Sequence, residues 1–113
     1  MPAQDIQRVL VVGAGTMGGQ IALQCARHGF DVTLYDVSAE ALASGMARVR
    51  GYARRLAAEG RADDDTLGRL TPTNDLPAAA ATADLVTESV PEDPALKGRV
   101  FAELNALCPS RTI

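Results

Sequence analysis

The sequence predicts an α/β fold, a doubly wound parallel sheet, and three observations predict it. Apolar, β-branched strands alternate with helix-period segments along the 113 residues. The first strand runs straight into a glycine turn, Gly13-Ala14-Gly15-Thr16-Met17-Gly18, which opens the first helix. The second strand ends in a carboxylate, Asp36. A sheet of this kind has right-handed crossovers and the spatial order 3-2-1-4-5-6, with ligands over the carboxyl ends where that order reverses.

Each element has its own signal. Arg8–Val12 is a buried-type strand, and the helical run Thr16–His28 is closed by Gly29 as a C-cap. Asp31–Asp36 is the second strand. A long helix follows from Ser38, its N-cap, to about Glu59, where Gly60 ends it. A shorter helix is expected around Asp64–Leu70 and a short strand near Thr71–Thr73. The alanine run Pro77–Ala83 reads as a short helix or turn. Ala83–Val90 is the fourth strand, stopped by Pro91, and a helix runs from about Pro94 to Leu107. Thr112-Ile113 reads as the start of a fifth strand, so the sheet is expected to be incomplete, with about four strands. An apolar edge left in that way favours association, so the chain is expected to dimerise or to be less stable than its parent.

The glycine turn is a dinucleotide fingerprint by the chemistry of its positions. Gly13 permits the tight turn, Gly15 lets the backbone approach a pyrophosphate, and Gly18 lets the helix pack closely on the strand. The helix N-terminus offers free N–H groups and partial positive charge to phosphates. A bare glycine pattern is weak, but here strand, turn, helix and acidic strand end come in order. An ordinary βαβ unit with an acidic helix cap accounts for less of this, since Ser38 can supply the cap. Asp36 can accept from a ribose 2′-OH and repels a 2′-phosphate, and Val37 and Ser38 follow it rather than an Arg. NAD(H) is therefore expected in preference to NADP(H).

Composition bounds the remaining classes. A net charge of −3 argues against a nucleic-acid partner, and an apolar fraction of 47% is that of a globular chain. No apolar stretch approaches a membrane span of roughly 20 residues, and Met1–Ile6 has no signal-peptide pattern. A cytoplasmic location is expected. Cys25, on a helix face with Ile21, reads as a small core residue, and Cys108 has no activating neighbour in sequence. Asp63-Asp64-Asp65 does not make a calcium loop, because Leu67 and Asn74 fall where oxygen ligands are needed.

Two further segments resemble the 3-hydroxyacyl-CoA dehydrogenase family. Asp84-Leu85-Val86-Thr87-Glu88-Ser89-Val90-Pro91-Glu92, with Lys97 five residues later, is similar to that family's strand-four signature. Gly-Ala-Gly-Thr-Met-Gly, Tyr35-Asp36 and the long helical insertion Ser38–Leu70 complete the resemblance, which covers essentially the whole chain. It implies NAD contacts at Gly13, Gly15, Thr16, Met17, Gly18 and Asp36, and further contacts at Glu92 and Lys97 near the nicotinamide ribose. Read on their own, Glu92 also suits a helix N-terminus and Lys97 a solvated helix face. The catalytic His and Glu of the family, and the Ser and Asn that help them, follow the fifth strand and so fall beyond Ile113. No catalytic residue is expected in this chain. His28 reads instead as a partner of the first helix's C-terminal dipole. Arg48, Arg50, Arg54 and Arg55 lie along the long helix, and the resemblance makes them neighbours of CoA phosphates. A solvated, exposed face accounts for them better.

The expectation is the NAD-binding part of a dehydrogenase that oxidises (S)-3-hydroxyacyl-CoA to 3-oxoacyl-CoA, with cofactor binding but no turnover by this chain alone. Alternatives are a relative acting on carnitine or a sugar acid, a non-catalytic nucleotide-binding or regulatory module, and, as a weaker reading, a domain that binds S-adenosylmethionine through a similar glycine turn and acidic strand end.

Overall fold

A computed structural model describes residues 6–62 and 65–88, together with Gly98, Arg99, Ala102 and Ala106. Strand β1 (Arg8–Val12) is buried over its last four residues, as expected of a parallel strand covered on both faces. It pairs in parallel with β2 (Asp31–Tyr35) on one side and with β4 (Leu85–Glu88) on the other. Strand β3 (Leu70–Thr73) pairs with β2 and completes the order β3-β2-β1-β4. The order reverses between β1 and β4, which makes their carboxyl ends the switch point of the sheet. Pro72 lacks a backbone N–H, and its place on the edge strand β3 is where a sheet tolerates that loss.

The helices start and stop for local reasons. Helix α1 (Thr16–Arg27) closes through Gly29 at φ +93, with Gly29 N–H donating to Ala26 O and Phe30 N–H to Cys25 O, both at 3.2 Å. Helix α2 (Ala39–Ala58) starts where Ser38 Oγ accepts from Ala41 N at 3.1 Å. It ends at Gly60, φ +72, with Arg61 N–H returning to Leu56 O at 2.8 Å. Both ends are Schellman closures, in which a left-handed residue lets the chain satisfy carbonyls the helix leaves open. Helix α3 (Leu76–Ala81) is capped by Asp75, whose Oδ1 accepts from Ala78 N at 3.2 Å.

Strand alternation divides the core. Val9, Val11, Val32, Leu34 and Leu70 meet Ala22, Leu23 and Ala26 of α1 and Leu42, Met46, Val49 and Ala53 of α2. Leu10 and Val12 point to the other face, against Leu76, Ala80 and Ala83. Thr66 and Asp84 are the buried polar residues among those described, and Asp84 Oδ2 accepts from Gln7 N and Arg8 N at 3.0 and 2.9 Å, holding the entry of β1 to β4.

The helix expected over Asp64–Leu70 is, among the described residues, a single 3-10 turn, Leu67–Arg69. Leu70 is taken into β3 opposite Val32, one residue earlier than expected, and Gly68 is a poor helix former. Ser89-Val90 and the start of a fifth strand lie outside the described residues. Of the expected helix Pro94–Leu107, the described positions Gly98, Arg99, Ala102 and Ala106 are helical and exposed.

Candidate functional site

The carboxyl edge of β1 and β2 is built around the glycine turn. Gly13 has φ +108, a conformation that calls for glycine, and its N–H donates to Tyr35 O at 2.8 Å, extending the β1–β2 ladder. Ala14 is fully buried, and both sides of its backbone are held. Its N–H donates to Asp36 Oδ2 at 2.9 Å, and its carbonyl accepts from Arg48 Nη2 at 3.1 Å.

Gly15 is different. Its φ of −68 and ψ of −172 suit any residue, and a Cβ placed there would meet no atom within 4 Å. Neither backbone nor packing explains a glycine at this position. The open space at Gly15 lies at the N-terminus of α1, so this cradle fits the close approach of a dinucleotide pyrophosphate. Behind it the first turn of α1 has no side-chain cap and no acidic residue, leaving its N–H groups and dipole for an anion.

Asp36 directly follows β2. Its Oδ1 accepts from Ser38 N at 2.9 Å, and its own backbone carbonyl accepts from Asn74 Nδ2 at 2.8 Å. A carboxylate has about four acceptor positions, so after Ala14 and Ser38 it retains capacity for ribose hydroxyls. The exposed large hydrophobic side chains among the described residues are Met17 and Val37, 71% and 83% exposed. They flank the turn and Asp36, and offer apolar surface to ligand rings.

Gly13, Gly15, Thr16, Met17, Gly18 and Asp36 are thus brought to one edge, with Gly18 buried in the first turn of α1. The next residue, Gly19, faces α2 closely: a Cβ there would stand 3.2 Å from Val49 Cγ2. Glu92, Lys97 and Cys108 lie outside the described residues. His28 sits at the opposite end of α1, about 18 Å along the helix axis from its start, with Nδ1 2.8 Å from Gln24 O. Arg50 and Arg54 are exposed on α2, and Arg55 stacks on Tyr52 at 5.9 Å. Cys25 packs half-buried against the core, and burial raises its thiol above the ordinary value. Among the described residues no cluster of metal-ligating side chains occurs, and no helix is long and apolar enough to cross a membrane.

Sequence reasoning missed Gly45 and Asn74, and it placed Arg48 beside CoA phosphates or on a solvated face rather than on the Ala14 carbonyl. No local signal singled out Gly45, since Gly51 lies in the same helix and a Cβ there would meet no atom within 4 Å. Two other concave surfaces avoid the glycine turn and Asp36. One, of about 280 Å³, lies at the amino ends of the strands beside Arg8, Asp31 and Thr71; the other, of about 320 Å³, lies between Gln20, Gln24 and Tyr52.

Known proteins are similar to this chain in sequence and fold. The family model described as "3-hydroxyacyl-CoA dehydrogenase, NAD binding domain" matches residues 8–113. A 3-hydroxyadipyl-CoA dehydrogenase of Escherichia coli is 42% identical over 113 residues, covering 96% of this chain and 24% of its own length. A 3-hydroxybutyryl-CoA dehydrogenase of Mycobacterium tuberculosis is 41% identical over 104 residues, covering 88% of this chain and 36% of its own. A solved diketoreductase superimposes with a TM-score of 0.88 at 42% identity, over 96% of this chain and 40% of that one. The chain therefore spans less than half the length of the relatives it matches. With the glycine turn, the open helix N-terminus and the Asp36 carboxylate in place, and with a family model matched from Arg8 to Ile113, the chain belongs to the 3-hydroxyacyl-CoA dehydrogenase family as its NAD-binding domain.

Proposed function

We propose that the chain is the cofactor-holding portion of a dehydrogenase that converts (S)-3-hydroxyacyl-CoA to 3-oxoacyl-CoA. The observation that carries this reading is Gly15, a glycine that neither its backbone nor its neighbours require, set between the bare first turn of α1 and the Asp36 carboxylate. In this reading the N–H groups of the first turn receive the pyrophosphate. Asp36 accepts from the adenosine ribose hydroxyls and repels a 2′-phosphate. Gly13, Thr16, Met17 and Gly18 complete the cradle, and Glu92 and Lys97 are proposed on the nicotinamide side. NAD⁺ supplies the hydride-accepting ring when bound.

The residues of this chain bind and orient, and none takes the substrate proton. His28 lies at the far end of α1 and is engaged with Gln24 O, so a general base within hydrogen-bond reach has to come from elsewhere in the parent. The purified chain is expected to bind NADH in calorimetry, to prefer it over NADPH and S-adenosylmethionine, and to show no turnover of acetoacetyl-CoA. Tighter binding of S-adenosylmethionine than of NADH would overturn the cofactor assignment, and measurable turnover would overturn the division of labour. A second reading, a parent acting on a dicarbonyl compound, is favoured by the 42% identity to the diketoreductase, equal to that of the 3-hydroxyadipyl-CoA dehydrogenase named above. Substrate profiling of the parent, acetoacetyl-CoA against free diketones, separates the two.

A further inference from the structure

The Ala14–Gly15 peptide is trans, so its carbonyl and the N–H of Gly15 point in opposite directions. The carbonyl is directed into α2. It accepts from Arg48 Nη2 at 3.1 Å and lies against Gly45, where a Cβ would collide with the Ala14 oxygen and stand 3.1 Å from the Ala14 Cβ. The Gly15 N–H is thereby turned away from α2 and toward the open space in front of Gly15.

We propose that Gly45 and Arg48 are positioning residues for the dinucleotide pyrophosphate: by anchoring the Ala14 carbonyl on α2, they aim the Gly15 N–H at the phosphates before any ligand arrives. Gly45 provides the room, and Arg48 provides the donor that keeps the carbonyl there. A donor chosen only to satisfy a buried carbonyl need not be an arginine that is itself exposed, as Arg48 is. The inference rests on the reading that this turn holds a dinucleotide. It differs from a direct phosphate contact by Arg48, because the guanidinium acts on the peptide and not on the ligand.

The test uses the 113-residue chain with Arg48→Met, Arg48→Lys and Gly45→Ala. Calorimetry reads NADH, ADP and adenosine, and amide relaxation reads the order of the Gly15 N–H without ligand. Arg48→Met is expected to bind ADP and NADH about tenfold more weakly, with adenosine unchanged and the free Gly15 amide more mobile. Arg48→Lys, which keeps a long side chain with a donor, is expected to recover most of both effects, and Gly45→Ala to repeat the loss for ADP. Unchanged ADP affinity in Arg48→Met overturns the proposal. So does a loss of ADP affinity with an unaltered Gly15 amide, which marks a direct charge effect, or an equal loss for adenosine, which marks general damage. Failure of the unmodified chain to bind NADH counts against the cofactor reading instead.

Discussion

Asp36 carries two duties, and the structure shows why they are hard to separate. Its oxygens accept from Ala14 N and Ser38 N, both at 2.9 Å, while the ribose is proposed to use the remaining acceptor positions. An amide offers one oxygen in place of two, and its NH₂ group would face one of those N–H donors. Asp36→Asn is therefore expected to weaken NADH binding by about 10- to 100-fold and to lower stability by about 1–2 kcal/mol. It is expected to gain little NADPH binding, because the turn itself is loosened. Calorimetry with both cofactors and a denaturant titration check this, and an unchanged NADH affinity would remove Asp36 from the site. Cys25 sets a second expectation. Burial raises its thiol pKa in the folded chain, so the folded state holds the proton more tightly than the unfolded one. That contribution is complete below the ordinary thiol value of about 8.5 and declines as pH rises through the folded value. Stability is expected to fall above about pH 8.5, and Cys25→Ala to flatten that slope; identical pH profiles for the two proteins would show that the thiol contributes nothing.

At the scale of elements, one carboxylate adds to the β1–β4 ladder at its entry. Asp84 accepts from Gln7 N and Arg8 N and returns its own N–H to Arg8 O at 2.9 Å. Asp84→Ala strands two N–H donors at the entry of the central strand and is expected to cost about 2–4 kcal/mol. Urea unfolding reads that loss, and a change below 0.5 kcal/mol, about the scatter of a neutral surface substitution, would reduce Asp84 to a bystander. Much of this architecture was legible in the chain because its signals are local. Ser38 caps the residues that follow it, Gly29 and Gly60 close the helices just before them, and the glycine turn abuts its own strand. What stayed hidden joins positions far apart in sequence. Arg48 reaches Ala14 across 34 residues, Asn74 reaches Asp36 across 38, and Asp84 reaches Gln7 across 77. No period or cap motif encodes such a meeting; only the folded sheet does. The segment Asp64–Leu70 misled for the opposite reason, since its local helical signal yields to the pairing of Leu70 with Val32.

At the scale of the whole molecule, the candidate site is tied to nearly every described element. Gly13 belongs to the end of β1, Gly15 begins α1, Asp36 follows β2, Arg48 comes from α2, and Asn74 lies between β3 and α3. A ligand that holds the turn and Asp36 together therefore opposes the separation of β1 from β2, and with it the opening of the first half-sheet. Mass action gives the size of the effect: at 100 times its Kd, a ligand bound only by the folded state adds about 2.7 kcal/mol. In a chain of this length each kcal/mol raises Tm by several degrees, so saturating NADH is expected to raise it by roughly 10 °C. Amide exchange should slow most at β1, β2 and the first turn of α1, with NADPH at the same concentration giving a much smaller shift. Differential scanning calorimetry across an NADH series measures the first outcome and exchange mapping the second. A Tm that stays constant to saturation, or protection confined to α3, would mean that the ligand does not engage the β1–β2 edge, and the site would have to be sought elsewhere on the sheet.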